Sequence, residues 1–252
     1  MIDILDEKKF SPYAECKRRI NFEIMREMCN RKPRATVFID LFGGAGAMTC
    51  MALEFLPDIV LYNEFDEGVF TFTEKVIKFN YEPLTFNRLD IYHSNPERWY
   101  ELTKQELSIF GVLPEDWCYL KLQLQRLQSR CYFTRSVLQF FSNTSYDKID
   151  LTQFNNEKCI VYCDIRNLHI FPYRNYYGND FLGLEDDKFE DVDFDYDKFE
   201  EWLKEQRNKG YDVFVSEYTQ PKNTTEIWSI TTQSNIGGAE NKEEVKERLF
   251  VN

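Results

Sequence analysis

The sequence has few of the residues that build metal or disulfide sites. Its 252 residues include only two histidines, His93 and His169, which are too few and too far apart for a zinc site of usual ligand spacing. Its seven cysteines form no Cys-x-x-Cys pair and no regular framework, which favours reduced thiols in a cytoplasmic protein. We therefore expect no metal site and a cytoplasmic location.

Long apolar runs and a secretion signal are also missing. No apolar run approaches the roughly 20 residues of a membrane span, and the N-terminus MIDILDEKKF lacks the layout of a signal peptide. Hydrophobic residues make up 43% of the chain and aromatic residues 16%, which is enough for a sizeable core. This composition predicts a soluble, folded protein without a membrane partner.

Basic residues are scarce, and the net charge is −12. Taken alone, this balance argues against a nucleic-acid binder, because neutralising phosphates requires Lys and Arg. The acidic surplus is local, however, since residues 180–205 contain twelve acids and three lysines. We interpret this run as a solvated loop that leads into a helix, and a surface that mimics or repels DNA is the alternative.

The order of apolar segments predicts a parallel sheet. The run TVFIDLF at 36–42 is followed by a glycine turn and a helical stretch, and DIVLYNEF at 58–65 gives a second strand. Residues 95–141 contain several helical segments and no clear strand. The strand pattern returns at 159–164 and 211–218, and the C-terminal tail supplies edge strands. We predict an α/β, doubly wound Rossmann-like sheet that is interrupted by a helical insert.

Two neighbouring motifs predict a site for a nucleoside cofactor. The sequence DLFGGAG, residues 40–46, joins a strand to a helix, where glycines allow a tight turn and close backbone approach to a ligand. No Gly-Lys-Ser/Thr follows, which excludes a phosphate-binding P-loop. Glu64 ends the second strand, where an acid accepts hydrogen bonds from both ribose hydroxyls. A dinucleotide is the alternative ligand, although NAD sites favour Gly-x-Gly-x-x-Gly.

The motifs FIDLFGGAGAMT, LYNEFD, IVYCDI and VFVSEYTQP follow one another in the order of a known family. In that order, the chain resembles the D12-class phage and bacterial DNA adenine methyltransferases. The resemblance implies a class I methyltransferase sheet of about seven strands that uses S-adenosyl-L-methionine. It further implies methylation of an adenine flipped out of double-stranded DNA, in a phage or mobile-element restriction-modification setting.

The resemblance also divides the chain and assigns its cofactor residues. It implies a cofactor-binding half at residues 1–94, a target-recognition insert at 95–141 and a catalytic half at 142–252. Glu64 would hold the ribose of the cofactor, and Tyr146 would lie beside its adenine, although Ser145 replaces the family's Asp there. Lys17 is the candidate for an N-terminal motif whose usual Gly-Gly-Lys is missing. The remaining cofactor residues implied are Asp40, Phe42, Gly43, Gly44 and Gly46.

The catalytic loop departs from the family pattern Asp-Pro-Pro-Tyr. Asp164 and the carbonyl of Ile165 are present as acceptors for the two amino hydrogens of adenine. The Pro-Tyr pair arrives at Pro172 and Tyr173 only after a six-residue insertion, RNLHIF. With these four as the catalytic residues, one hypothesis is an active DNA adenine methyltransferase. The other is an inactive methyltransferase-like protein that binds S-adenosyl-L-methionine, DNA or a host defence protein.

Overall fold

The computed structural model of the chain contains helices and strands in alternation. It describes residues 20–44, 46–55, 58–79, 91, 94–111, 138–165, 194–234 and 243–252. The helices are α1 Asn21–Arg31, α2 Ala47–Phe55, α3 Glu67–Phe79, α4 Pro96–Ser108 and α5 Tyr196–Asn208. The strands are β1 Val37–Asp40, β2 Ile59–Asn63, β3 Leu138–Ser142, β4 Cys159–Asp164, β5 Val213–Glu217, β6 Thr225–Ser234 and β7 Glu243–Val251.

The seven strands form one sheet in the order β3-β2-β1-β4-β5-β7-β6. A doubly wound Rossmann sheet has the order 3-2-1-4-5-6. Here β7 is added between β5 and β6, and it runs antiparallel to both. The predicted Rossmann-like α/β sheet of about seven strands is confirmed. The chain divides into two compact units, residues 1–161 and 162–252, with the boundary inside β4.

Unit 1, residues 1–161, contains the parallel strands β1, β2 and β3. Val37 pairs with Ile59, and the pairing of β1 with β2 continues to Asp40 and Tyr62. All four residues of β1 and the last four of β2 are buried, as in sheets that are covered on both faces. The N–H of Thr36 donates to the carbonyl of Lys158 at 2.9 Å. This bond joins the start of β1 to the start of β4, so these two strands run in the same direction.

Strand β3 was not predicted. It begins at Leu138 and therefore lies partly inside the segment 95–141, for which we predicted helices and no clear strand. A short apolar run such as LQFFS cannot be distinguished from a buried helical segment by its periodicity. The earlier part of that segment does contain a helix, α4, whose N-cap Asn95 accepts the N–H of Arg98 at 3.0 Å.

Unit 2, residues 162–252, combines α5 with antiparallel strands. Asp195 caps α5 by accepting the N–H of Lys198 at 2.9 Å. The helix buries Phe199, Trp202 and Leu203, whose spacing places them on one face. In the sheet, β7 pairs with β5 through Phe214 and Val251 and with β6 along its whole length. The tail therefore supplies the last two strands, but the prediction of edge strands holds for β6 alone, because β7 has a partner strand on each side.

In the part of the chain that the structure describes, no helix combines the length and the apolar character that crossing a membrane requires.

Candidate nucleoside-cofactor site

A tight glycine turn connects β1 to α2 at the carboxyl end of the strand. Gly44 and Gly46 have φ angles of 49° and 76°, in the left-handed region that favours glycine. The N–H of Gly46 donates to the carbonyl of Gly43 at 2.7 Å and closes the turn. The turn predicted from DLFGGAG therefore exists, and the backbone conformation itself requires glycine at positions 44 and 46.

Gly43 contacts the neighbouring strand instead of requiring a special φ angle. A Cβ atom at this position would lie 2.3 Å from Cε2 of Tyr62 and 2.9 Å from the carbonyl oxygen of Asn63. The Gly43 N–H donates to that carbonyl at 2.8 Å, and the Tyr62 hydroxyl donates to the carbonyl of Gly44 at 2.6 Å. Packing against β2 is thus a reason for Gly43 that is independent of any ligand.

Glu64 connects the end of β2 to the glycine turn. Its Oε2 accepts the N–H of Gly44 at 2.7 Å, and its Oε1 accepts the N–H of Asp66 at 2.9 Å. The residue is 9% exposed. Since each carboxylate oxygen has a second lone pair, both oxygens can still accept a hydroxyl. The structure therefore brings together the two motifs from which the sequence predicted a nucleoside site.

The surroundings of Glu64 oppose its ionisation. Burial raises the pKa of Glu64 to about 7, because desolvation disfavours the charged carboxylate. The backbone hydrogen bonds from Asp66, Gly44 and Phe65 lower the pKa, and the negative charge of Asp66 raises it. The three amide bonds therefore offset only part of the desolvation, and Glu64 titrates close to neutral pH.

Three further predicted cofactor residues lie around the same turn in unit 1. Asp40 is 1% exposed, and its Oδ2 accepts the Thr49 hydroxyl at 2.6 Å, which ties the end of β1 to α2. The rings of Phe42 and Tyr146 lie 5.5 Å apart at an angle of 31°. Tyr146 is buried at the start of a 3₁₀ turn, Tyr146–Lys148, shortly after β3. The structure thus pairs Phe42 with Tyr146, far apart in sequence.

Two asparagines that the sequence analysis did not select fix the ends of β2 and β3. The buried amide of Asn63 donates to the carbonyls of Leu41 at 2.8 Å and Thr144 at 3.0 Å, and its Oδ1 accepts the Thr144 N–H at 3.3 Å. The Asn143 amide donates to the carbonyls of Glu64 at 2.7 Å and Phe65 at 3.1 Å. The signal that would have found Asn143 is its place after β3, a strand that was missed.

Phe65 is a second feature that the sequence analysis passed over. Its side chain is 69% exposed, although it follows the buried strand β2 and the buried Glu64. An aromatic residue directly after an acid at a strand end is a signal that can be read from the sequence. An exposed flat ring beside a carboxylate offers an apolar face for a nucleobase and acceptors for a ribose.

The predicted catalytic residues are described only in part. Asp164 is the last residue of β4, and Ile165, which follows it, is 4% exposed. Pro172 and Tyr173 lie outside the described residues, and so does Lys17. The roles of all three, and the loop that would carry the Pro-Tyr pair, stay predictions. In the described ranges, no group of three or more His, Cys, Asp or Glu side chains is placed to hold a metal ion.

The strand order and the acid at the glycine turn define a Rossmann-like α/β fold with a ligand-binding edge at the glycine turn. No family model and no curated protein sequence matches the chain. Among solved structures, the chain resembles the rRNA methyltransferase aviRa from Streptomyces viridochromogenes, with 10% identity, a TM-score of 0.44, and coverage of 92% of this chain and 83% of that one. It also resembles the putative methyltransferase yhhF from Escherichia coli, with 13% identity, a TM-score of 0.39, and coverage of 96% and 90%. Likeness at this level carries no information about the substrate.

Proposed function

We propose that the chain is an S-adenosyl-L-methionine-dependent methyltransferase that acts on the exocyclic amino group of adenine in double-stranded DNA. The observation that carries this proposal is the 2.7 Å contact between the Glu64 carboxylate and the Gly44 N–H. It joins the acid after β2 to the glycine turn after β1, at the carboxyl ends of parallel strands, where open α/β sheets bind ligands. The DNA adenine substrate comes from the sequence resemblance.

The residues around the glycine turn suit the nucleoside part of this cofactor. The two Glu64 oxygens accept the ribose hydroxyls, and they do so best when the carboxylate is ionised. Phe65, exposed beside Glu64, provides a face for the adenine ring. When bound, S-adenosyl-L-methionine supplies an electrophilic methyl group on a sulfonium. The role of the chain at this end of the site is to hold the nucleoside in a fixed orientation.

The proposed acceptor groups are at the end of β4. Adenine's amino nitrogen is a poor nucleophile, because its lone pair is delocalised into the ring. The Asp164 carboxylate and the Ile165 carbonyl accept its two hydrogens and direct electron density toward the incoming methyl group. When bound, the cofactor would supply the methyl group to that nitrogen and would leave as S-adenosyl-L-homocysteine, and one amino proton would pass to solvent water. Flipping the base out of the duplex gives these acceptors access to it.

The direct test measures transfer of labelled methyl from S-adenosyl-L-methionine to unmethylated genomic DNA, with digestion to identify the methylated base. We expect label on the adenine amino group. In Asp164→Ala the rate falls at least about 100-fold, as for loss of a group that stabilises the transition state. The matched control is Asp197→Ala on α5, whose side chain is 89% exposed, and it keeps full activity.

Three outcomes contradict the proposal, each at a different level. No binding of S-adenosyl-L-methionine by calorimetry removes the methyltransferase function altogether. Tight binding without label on DNA removes the DNA substrate and supports a protein that binds the cofactor without methylating DNA. Label that persists in Asp164→Ala shows that methyl transfer does not depend on the end of β4.

A further inference from the structure

Residues at the end of β3 hold the backbone of Glu64 and Phe65 in place. The Glu64 N–H donates to the carbonyl of Ser142 at 3.1 Å, which is the last ladder bond between β2 and β3. Beyond it, the carbonyls of Glu64 and Phe65 both accept from the amide nitrogen of Asn143. The two amide hydrogens of Asn143 therefore continue the strand pairing by one step where the strands separate.

The Asn143 hydrogen bonds constrain the backbone at a point where the pairing of β2 with β3 has already ended. After Asn63 the chain must turn, and within two residues it must bury a carboxylate and expose an aromatic ring. Without a donor at position 143, the two carbonyls would lose this partner, and only the Glu64 N–H and the bonds to the Glu64 carboxylate would hold the Glu64–Phe65 peptide. Asn143 is itself exposed and belongs to no buried core, so its bonds fix local geometry more than they stabilise the whole fold.

We propose that Asn143 is a positioning residue for the nucleoside site, because its amide holds the Glu64–Phe65 peptide in the orientation that places the carboxylate and the ring. This inference rests on the proposed function for its consequence in binding. Its structural part does not need a ligand, since the Glu64 carboxylate already accepts the N–H groups of Gly44 and Asp66. Both N–H groups report directly on the placement of that carboxylate.

The test compares Asn143→Asp with Asn155→Asp. Both changes convert an exposed asparagine to aspartate and add one negative charge. Asn143 acts as a donor, which Asp cannot be, whereas Asn155 accepts the N–H of Glu157 at 2.9 Å, which Asp can still do. A third variant, Asn143→Ala, removes the donor without adding a charge near Glu64.

Two measurements are made on each variant. In the ligand-free protein, NMR measures the hydrogen-exchange rates of the Gly44 and Asp66 amides. These rates rise about tenfold in both Asn143 variants and stay unchanged in Asn155→Asp. By calorimetry, the Kd for S-adenosyl-L-methionine rises about tenfold in both Asn143 variants, as expected for loss of about one net hydrogen bond, with kcat at saturation unchanged. The urea midpoint falls only slightly in the two Asn143 variants, as expected for loss of about one net hydrogen bond, and it stays the same in Asn155→Asp.

The outcomes separate this inference from the proposed function. Faster exchange in a protein that does not bind S-adenosyl-L-methionine supports the positioning role and overturns the function. Wild-type binding with unchanged exchange and unchanged Kd in Asn143→Ala overturns the positioning role and leaves the function intact. A fall in the urea midpoint that accounts for the loss of binding shows a general structural role, and this also overturns the inference.

Discussion

Two buried glutamates stand at strand ends in the two units, and they are held in different ways. Glu64 follows β2 in unit 1, and Glu217 is the last residue of β5 in unit 2, where it is 2% exposed. Glu64 accepts the N–H of Gly44, 20 positions away in the chain. Glu217 accepts the N–H of Tyr218, the next residue, at 2.7 Å.

The difference shows that burial of an acid does not by itself mark a functional site. A carboxylate that binds the turn after another strand holds two chain connections together and organises the edge of the sheet between them. The Glu217 bond to the next residue is local and completes a turn. We therefore propose that Glu64 belongs to the nucleoside site, and we expect Glu217→Gln to change folding stability and not the affinity for S-adenosyl-L-methionine.

The largest effect is expected from breaking the packing of the glycine turn on β2. In Gly43→Ala the new Cβ would lie 2.3 Å from the ring of Tyr62, a contact that forces the ring or the turn to move. Overpacking of this kind destabilises a protein by about 3 kcal/mol or more at its upper end. Urea denaturation measures the loss in the free energy of unfolding, and the displaced turn should also lose affinity for S-adenosyl-L-methionine.

Gly111→Ala is the matched control for this change. Gly111 has a φ of 73°, but among the described residues its Cβ would meet only the Cα atom of Gly68, 3.9 Å away. That variant carries conformational strain without a clash and should cost about 1–2 kcal/mol. Equal losses of unfolding free energy in the two variants would show that the Tyr62 ring moves aside at little energetic cost. The glycine at position 43 would then need a reason other than packing against Tyr62.

A smaller effect is expected from the titration of Glu64. Because the folded-state pKa of about 7 is above the ordinary value of 4.5, the unfolded chain releases this proton first as the pH rises. The contribution of Glu64 to stability is therefore intact below about pH 4.5, is lost as the pH rises toward 7, and then levels off. Relative to Glu64→Gln, the wild type should lose about 2 kcal/mol of unfolding free energy between pH 5 and pH 8.

Cofactor binding should change in the opposite direction with pH. The ionised carboxylate is the better acceptor for ribose hydroxyls, so the Kd for S-adenosyl-L-methionine should fall as the pH rises through about 7. Calorimetry from pH 6 to pH 8 measures this. Glu64→Gln should bind weakly without that pH dependence, whereas Glu217→Gln should retain both the wild-type affinity and its pH profile. A flat profile in the wild type would mean that Glu64 does not contact the ligand.

Much of the sheet could be predicted from the sequence for a simple physical reason. Strands β1, β2, β4 and β5 are buried, and each appears as a short apolar run that ends in polar residues. Strand β3 has the same kind of run, but it follows a long stretch whose sequence favours helix. Periodicity alone does not separate a five-residue strand from a buried turn of helix.

The features of the candidate site also differ in whether the sequence alone could reveal them. The spacing of Glu64 from the glycine turn could be read directly, because a βαβ unit fixes that connection. The contact of Gly43 with Tyr62 depends on which ring packs beneath the turn, and the contact of Asn143 with Glu64 depends on the register of β3. Both arise from strand pairing between distant residues, which a single sequence does not reveal.

The smallest effect is expected from the loss of a single hydrogen bond in unit 2. The Tyr218 hydroxyl donates to Oε1 of Glu247 at 2.9 Å, and Glu247 is 8% exposed. Tyr218→Phe removes one hydrogen bond to a buried carboxylate and should lower the free energy of unfolding by about 1–2 kcal/mol. Urea denaturation measures this loss, and calorimetry on the same preparation should find the affinity for S-adenosyl-L-methionine unchanged. A tenfold weaker affinity at unchanged stability would contradict the proposed difference between the two units. The acids of unit 2 would then contribute to cofactor binding, as is proposed for Glu64.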